Sequence, residues 1–448
     1  MFQRKLMAVL SLAAVVALTA GESQASLSRV EGMSLAVPTL SQFTDDYVNI
    51  YYYPASVVRQ NNLVLAEMGN NPTGLSDPGV FAPSTVTFGE QSYTVIRNFP
   101  RFGAVAFQMK QAAANNYLNT GNLNNEQLDA IWGKGFNKAD FAVRLDITNS
   151  SFEETSNPGG VATFNRVKGN GIAAFDPYPF GVTFTPDALV GTGVEMNTFG
   201  ITPGLTLHMS NDNRLEVAAT YRKYSLDRTE TTGGVQGEHF QDNGSASYAV
   251  AGRAFVNQGD RHVWVPAAWY TNDDLSWKVE NVPAAGDVRS ADEKYKSYGV
   301  GISDNMRVND NNLLLWGVVL GQTKHTFERS DGFVAAGDQS KFEEKTSTLP
   351  LVFAAIETDA TKWLKVRIGA NRALVSNRTD DTVFGTPPTV TVDKTRTSAF
   401  NFNAGTGIRW NNLDIDMTLN EKFPLSGGYI LSGDRSTPFT RVSATYHY

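Results

Sequence analysis

The chain has 448 residues, no cysteine, 38 Lys and Arg against 45 Asp and Glu, and a formal charge of −7. The missing cysteine excludes a disulfide framework, zinc–thiolate sites and a cysteine nucleophile. The acidic balance argues against nucleic acid as a partner. The slightly negative mean hydropathy suits strands that turn only one face to an apolar phase.

Arg4 and Lys5 open the chain with positive charge, Leu6 to Ala20 follow as an apolar stretch, and Ser23-Gln24-Ala25 ends it on small residues. That is the pattern of a cleavable secretory leader over residues 1–25. The apolar run falls short of the roughly 18 residues of a spanning helix, and no later segment approaches that length. If the mature chain enters a membrane it must do so as a closed barrel, because open sheets leave backbone groups unsatisfied in lipid. Removing Arg4, Lys5 and Glu22 with the leader leaves a charge of about −8. No linker rich in Pro or Ser divides the remainder.

After the leader comes Phe43-Thr44-Asp45-Asp46-Tyr47-Val48-Asn49-Ile50-Tyr51-Tyr52-Tyr53-Pro54-Ala55, and then the strand-like Asn62-Leu63-Val64-Leu65-Ala66-Glu67-Met68-Gly69. This stretch resembles the N-terminal region of FadL-like and PorV-like outer-membrane proteins. Residue by residue, Pro54 and Ala55 match the core motif, while Tyr53 stands where that family usually has Asn. In the FadL family the region forms a hatch that plugs a 14-stranded barrel admitting hydrophobic molecules. The resemblance implies a hatch-like segment over 26–60 and a barrel over 61–448. It transfers no ligand site.

Period-two alternation marks the strands. Phe141, Val143, Leu145 and Ile147 alternate with Ala142, Arg144, Asp146 and Thr148. Leu215, Val217, Ala219 and Tyr221 oppose Glu216, Ala218, Thr220 and Arg222, and Leu364, Val366, Ile368 and Ala370 oppose Lys365, Arg367, Gly369 and Asn371. Phe400, Phe402, Ala404, Thr406, Ile408 and Trp410 share a face against Asn401, Asn403, Gly405, Gly407 and Arg409. Leu413, Ile415, Met417 and Leu419 do the same against Asp414, Asp416, Thr418 and Asn420. About 14 strands are expected, near 85–96, 100–110, 139–148, 200–210, 213–226, 245–257, 261–271, 295–307, 312–327, 342–358, 362–375, 397–410, 413–421 and 438–448. Segments 61–69 and 172–185 would make about 16. Asn124 to Trp132 reads as a short helix, and 149–199 carries no pattern that places it.

A soluble sandwich would show the same alternation. The spacing of turns and loops separates the two. Tight polar turns at Ser210–Asn213, Asn257–Asp260, Asn309–Asn312, Thr358–Thr361 and Trp410–Asn412 alternate with expected long loops near 227–244, 271–294, 328–341, 376–396 and 422–437. Short turns on one side and long loops on the other mark an all-β transmembrane antiparallel barrel of the bacterial outer membrane. The terminal strand, with Val442, Ala444, Tyr446 and Tyr448 on one face, resembles the assembly signal of such barrels. It implies lipids and the barrel-assembly machinery as partners, and a periplasmic side for the tight turns.

The polar faces should line a lumen. Arg144, Asp146, Glu216, Arg222, Arg253, Lys365, Arg367, Arg409, Asp414 and Asp416 are expected to point inward, with both signs present, so that they pair with one another or with the N-terminal segment. No ring of one sign suggests ion selectivity. His208-Met209-Ser210-Asn211 resembles the H-x-S-N motif of outer-membrane lipid hydrolases, with His208 two residues from a Ser210 nucleophile. A polar turn explains the same residues, and no catalytic site is assigned. The histidines (His208, His239, His262, His325, His447) never reach metal-ligand spacing, and no cofactor is expected. The reading is passage or uptake of a small molecule across the outer membrane, with a hydrophobic one as the option that the FadL-like resemblance implies. A structural or partner-docking barrel is the alternative, and a lipid-modifying enzyme a third class.

Overall fold

The computed structural model describes residues 26–35, 38–60, 62–69, 90–111, 126–153, 193–232, 235–280, 289–329, 339–383, 388–419 and 439–448. The expected leader at 1–25, the expected strand at 172–185 and the expected loop at 422–437 lie outside them. Strands β1 (Leu63–Gly69), β2 (Glu90–Phe99), β3 (Gly103–Gln111), β4 (Glu126–Gly135), β5 (Ala139–Glu153), β6 (Gly193–His208), β7 (Arg214–Thr232) and β8 (Val235–Asp242) form the first half. The second half is β9 (Ala246–Gln258), β10 (His262–Glu280), β11 (Arg289–Asn309), β12 (Asn312–Arg329), β13 (Gln339–Asp359), β14 (Leu364–Val383), β15 (Thr389–Trp410), β16 (Leu413–Leu419) and β17 (Phe439–His447).

Each strand pairs antiparallel with its neighbours in sequence, and β1 pairs with β17 from Leu63↔His447 to Gly69↔Arg441, which closes the sheet. Closure leaves no unpaired strand edge. β8 continues the line of β9, both lying between β7 and β10. They are separated where Asp242 accepts from the backbone N–H of Gly244 (3.1 Å) and Ser245 (2.8 Å). The 17 segments therefore fill 16 barrel positions, not 14. The difference is β1, which the sequence left optional, and β4, which was expected as a helix. In β4, Leu128 and Trp132 are exposed while Asp129 and Ile131 are buried, an alternation of period two that only a strand satisfies.

The tight turns share one end of the barrel with both the start of β1 and the end of β17, here called the turn end. Asp212 (φ 58°) and Asn411 (φ 54°) take the left-handed region there, which short polar side chains tolerate. At the other end the strands run far into what the sequence suggested were loops. β7, β10, β11, β13, β14 and β15 carry 19 to 22 residues each. Twenty residues rise about 65 Å, well beyond a tilted span of a bilayer. The misreading has a plain cause. Outside the lipid nothing requires an apolar outward face, so the alternation that identifies a strand fades.

The outer surface is apolar in a band. Phe107, Leu145, Ile147, Phe199, Ile201, Val250, Val300, Val352 and Ile368 are exposed there. At the turn end the band is edged by Phe99, Phe102, Trp132, Phe136, Trp363 and Trp410. At its other edge stand Tyr221, Tyr248, Tyr270 and Tyr298, each exposed, with Tyr221 and Tyr248 rings 5.3 Å apart. Some nine tilted residues separate the two girdles, about 25 Å, the height of an outer-membrane belt. Beyond the tyrosines the outward face turns charged, with Lys324 3.0 Å from Glu343. This is a transmembrane barrel of the outer-membrane type.

A positive charge placed in this band must be desolvated by lipid. Leu145→Arg is expected to cost about 2–4 kcal/mol in reversible urea unfolding from bilayers. Lys296→Ala, beyond the band, should change stability by less than about 0.5 kcal/mol.

Candidate functional site

The described residues of 26–60 form no strand. They fold into the helix Leu27–Gly32, the turn of helix Pro38–Ser41 and the 3-10 turns Tyr47–Tyr51 and Pro54–Arg59. Val30, Met33, Leu35, Leu40, Phe43, Ile50, Tyr53, Ala55 and Val57 are all at most 1% exposed. They pack on the inward faces of strands around the wall, toward the turn end. The strands make room by lacking side chains. A Cβ on Gly369 would collide with the carbonyl of Met33, and one on Gly405 would lie 3.0 Å from the Cα of Gly32. Phe43 stacks on Phe353 with ring centroids 5.3 Å apart.

Charge joins segment and wall at four places. On β13, β14 and β16, Arg29 donates to Glu357 through Nε (2.6 Å) and Nη2 (3.0 Å) and also bonds Asp46. Arg367 bridges Glu357 and Asp416, both at 2.6 Å, and Ser26 Oγ donates to Asp416 at 2.7 Å. Burial alone would pull the Arg29 guanidinium down, but Asp46 and Glu357 outweigh it and hold the group above its ordinary value. On β1 and β17, Arg441 pairs with Glu31 (2.9 Å) and Ser28 shares a hydrogen bond with Ser443 (2.6 Å).

On β4, β5 and β7, Arg144 pairs with Asp129 through Nε (2.6 Å) and donates Nη1 to the carbonyl of Tyr51 (2.7 Å). Arg222 donates to Asp146 at 2.9 Å in the same row. On β7 and β9, Arg253 pairs with Glu216 through Nε (2.8 Å) and donates Nη1 to the carbonyls of Gln42 (2.6 Å) and Thr44 (2.8 Å). Arg59 bonds Glu216, and Arg214 pairs with Asp45 at 2.5 Å. The Arg253 guanidinium also lies 4.4 Å over the ring of Tyr53. Tyr53 thus supplies an aromatic platform for a buried cation. Pro54 packs so that a Cβ on Gly204 would stand 2.9 Å from its Cδ.

The structure places Arg144, Asp146, Glu216, Arg222, Arg253, Arg367, Asp414 and Asp416 on the inward face and buries them. Lys365 and Arg409 lie at the turn-end rim, partly exposed. Lys365 sits 3.2 Å from Asp359, and Arg409 bonds Asp414 at 3.1 Å. Lys365 also reaches Glu357 at 3.8 Å, which joins the rim to the deeper groups. Sequence reasoning missed Asp129, Glu357, Glu31, Arg29, Arg59 and Arg441. Glu357 could have been found by extending the Phe353, Ala355 alternation. The residues of 26–60 carry no period to read. His208 hydrogen bonds Asp140 through Nε2 (2.9 Å), while Ser210 opens the turn and its carbonyl accepts from Asn213. No hydrogen bond joins His208 to Ser210 among the described residues, where no cluster of metal-ligating side chains occurs either.

Toward the loop end, above the segment, the inner wall carries a buried aromatic group. Trp269, Tyr295, Phe327 and Phe342 are each below 10% exposed, and Tyr295 stacks on His325 at 4.1 Å. A register shift between Thr348 and Leu351 of β13 brings Phe342 onto the face it shares with Phe327.

No family model matches the chain, and no curated protein matches it. Among solved structures, the ferric-catecholate import receptor Fiu of Escherichia coli K12 is similar with a TM-score of 0.36 at 10% identity, over 87% of this chain and 82% of the receptor. The siderophore receptor PiuA of Acinetobacter baumannii gives 0.37 at 8% identity, over 87% and 82%. The alcaligin receptor FauA of Bordetella pertussis gives 0.37 at 7%, over 86% and 76%. Scores this low assign no ligand and no activity to the chain.

Truncating a bridging cation leaves its carboxylate buried and unpaired. Arg253→Ala should cost about 3–5 kcal/mol and render residues 26–60 cleavable by added protease in an otherwise heat-modifiable barrel. Arg253→Lys should restore only part of the protection, because an ammonium cannot serve Glu216 and two carbonyls from one planar fork. Gly369→Leu, which drives a side chain into the Met33 carbonyl, should also release the segment to protease.

Proposed function

We propose that the chain is an outer-membrane uptake barrel whose residues 26–60 act as a hatch, closing the lumen at rest and yielding to a small molecule. The observation that carries the reading is the attachment of one short segment at four places on the wall: β1 with β17, β4 with β5, β7 with β9, and β13 with β14 and β16. A segment that only decorated one wall would leave an aqueous path beside it. One tied around the circumference by buried ion pairs blocks flow, and a path opens only when part of it moves.

The hydrophobic class of solute rests on two supports. One is the Pro54-Ala55 resemblance to the FadL-like hatch. The other is the aromatic group of Trp269, Tyr295, Phe327 and Phe342 on an otherwise polar wall, a surface suited to an apolar or aromatic solute entering from the loop end. The strand count of 16 departs from the 14 that the resemblance implies, so the hatch is taken from geometry and not from family membership. The docking alternative keeps one observation in its favour: hairpins that stand clear of the membrane offer a partner long strand surfaces.

Single-channel recording separates these readings from an open pore. The mature chain in a planar bilayer should insert without steady conductance. Deleting residues 26–60, or combining Arg29→Ala with Arg253→Ala, should produce discrete lasting steps. Steady porin-like current from the intact chain would contradict the hatch. A small aromatic fluorophore should enter vesicles bearing the barrel faster than bare vesicles, and equal rates would favour docking over uptake.

A further inference from the structure

Glu67 differs from most buried carboxylates of the inner wall. Asp129, Asp146, Glu216, Glu357 and Asp416 each face an arginine, and Asp140, Asp304 and Asp414 each bond a histidine. Glu67, 4% exposed on β1, accepts from Ser92 (3.1 Å), Ser443 (3.1 Å) and the backbone N–H of Leu27 (2.7 Å). Among the described residues no Lys, Arg or His side chain forms an ion pair with it. A carboxylate buried without a counter-charge is costly, and its short bond to Leu27 points to the missing cation.

One residue before Leu27 stands Ser26, fully buried. Its Oγ caps the first helix at Arg29 N–H (3.2 Å) and donates to Asp416. Consecutive backbone nitrogens are roughly 3 Å apart, so the nitrogen of Ser26 lies within about 6 Å of Glu67. The small residues Ser23 and Ala25 place the cleavage of the leader immediately before this nitrogen.

We propose that processing between Ala25 and Ser26 creates the cation that this pocket is built for, so that cleavage of the leader is what lets residues 26–60 seat. Water adds its hydroxyl to the carbonyl carbon of Ala25 as the peptide C–N bond breaks, and the Ser26 nitrogen leaves as an amine. That amine takes up a proton to become an α-ammonium between Glu67 and Asp416. Before the cut the same atom is a neutral amide from which the apolar leader would have to continue, out of a buried polar site. The segment is then armed by secretion: an unprocessed chain lacks the charge that completes the ring. This inference concerns assembly and holds whether the barrel transports or docks.

The test is chemical labelling of the mature protein from native membranes. Intact-mass and N-terminal analysis should find Ser26 first, and any other N-terminal residue would overturn the proposal. The α-amine, paired and buried, should react with a small N-hydroxysuccinimide ester at neutral pH about tenfold more slowly in the folded barrel than after unfolding in urea. Glu67→Gln should bring the folded rate toward the unfolded one while surface lysines keep theirs. Equal folded and unfolded rates in the unsubstituted protein would refute the ammonium seat, whatever the behaviour of the variant.

Discussion

Closing a sheet of this size into a barrel creates two surfaces with opposite demands. The outside must dissolve in hydrocarbon, and the inside must satisfy polar groups that bulk water no longer reaches. The inside decides this molecule. Arg144, Arg253 and Arg367 are among its largest fully buried side chains, and a guanidinium removed from water is tolerable only when it is paired with a carboxylate and given further acceptors. The strands supply carboxylates for that purpose, yet strands alone do not complete the set. Backbone carbonyls of Gln42, Thr44 and Tyr51 accept from Nη1 of Arg253 and Arg144. Wall and segment are one electrostatic unit.

That dependence explains the composition of both parties. The segment is short and carries little regular structure, and its carbonyls at Ser28, Ser34, Gln42, Phe43, Thr44 and Tyr51 accept from side chains of the wall. The wall carries glycine at Gly369 and Gly405, where the segment's backbone comes close enough that any side chain would displace it. The lipid-facing side has none of these constraints and is filled with whatever apolar residue the girdle spacing asks for. A mutation on the outer face therefore acts through transfer into lipid. One on the inner face acts through the pairing of a charge or the fit of the segment.

Much of the barrel was readable because lipid on one side and polar groups on the other enforce alternation. Phe141 to Thr148 and Leu413 to Asn420 display it residue by residue. The signal failed where the physics that writes it is absent. Above the tyrosine girdle no lipid enforces an apolar outward face, and hairpins through 227–244 and 376–396 looked like loops. In β4 the inward-facing Ile131 and Gly133 blurred the polar face, Ile131 being buried and Gly133 lying against Val57. Arg144 and Asp146 could be placed on one face from sequence, whereas the link of Arg144 to Asp129 could not, since it depends on which strand lies next door. The partners inside 26–60 were out of reach for a simpler reason: an irregular segment has no period.

The central claim is that residues 26–60 lie inside the barrel against β17 and β16. The chain's lack of cysteine makes the most direct measurement clean. Ser28 and Ser443 hold their hydroxyls 2.6 Å apart across the boundary between segment and wall. Ser28→Cys combined with Ser443→Cys should form a disulfide in native membranes on mild oxidation, seen as a reducible mobility shift and as a linked peptide by mass spectrometry. A folded, heat-modifiable double variant whose thiols stay separate, while both remain reactive toward a small maleimide, would contradict the account.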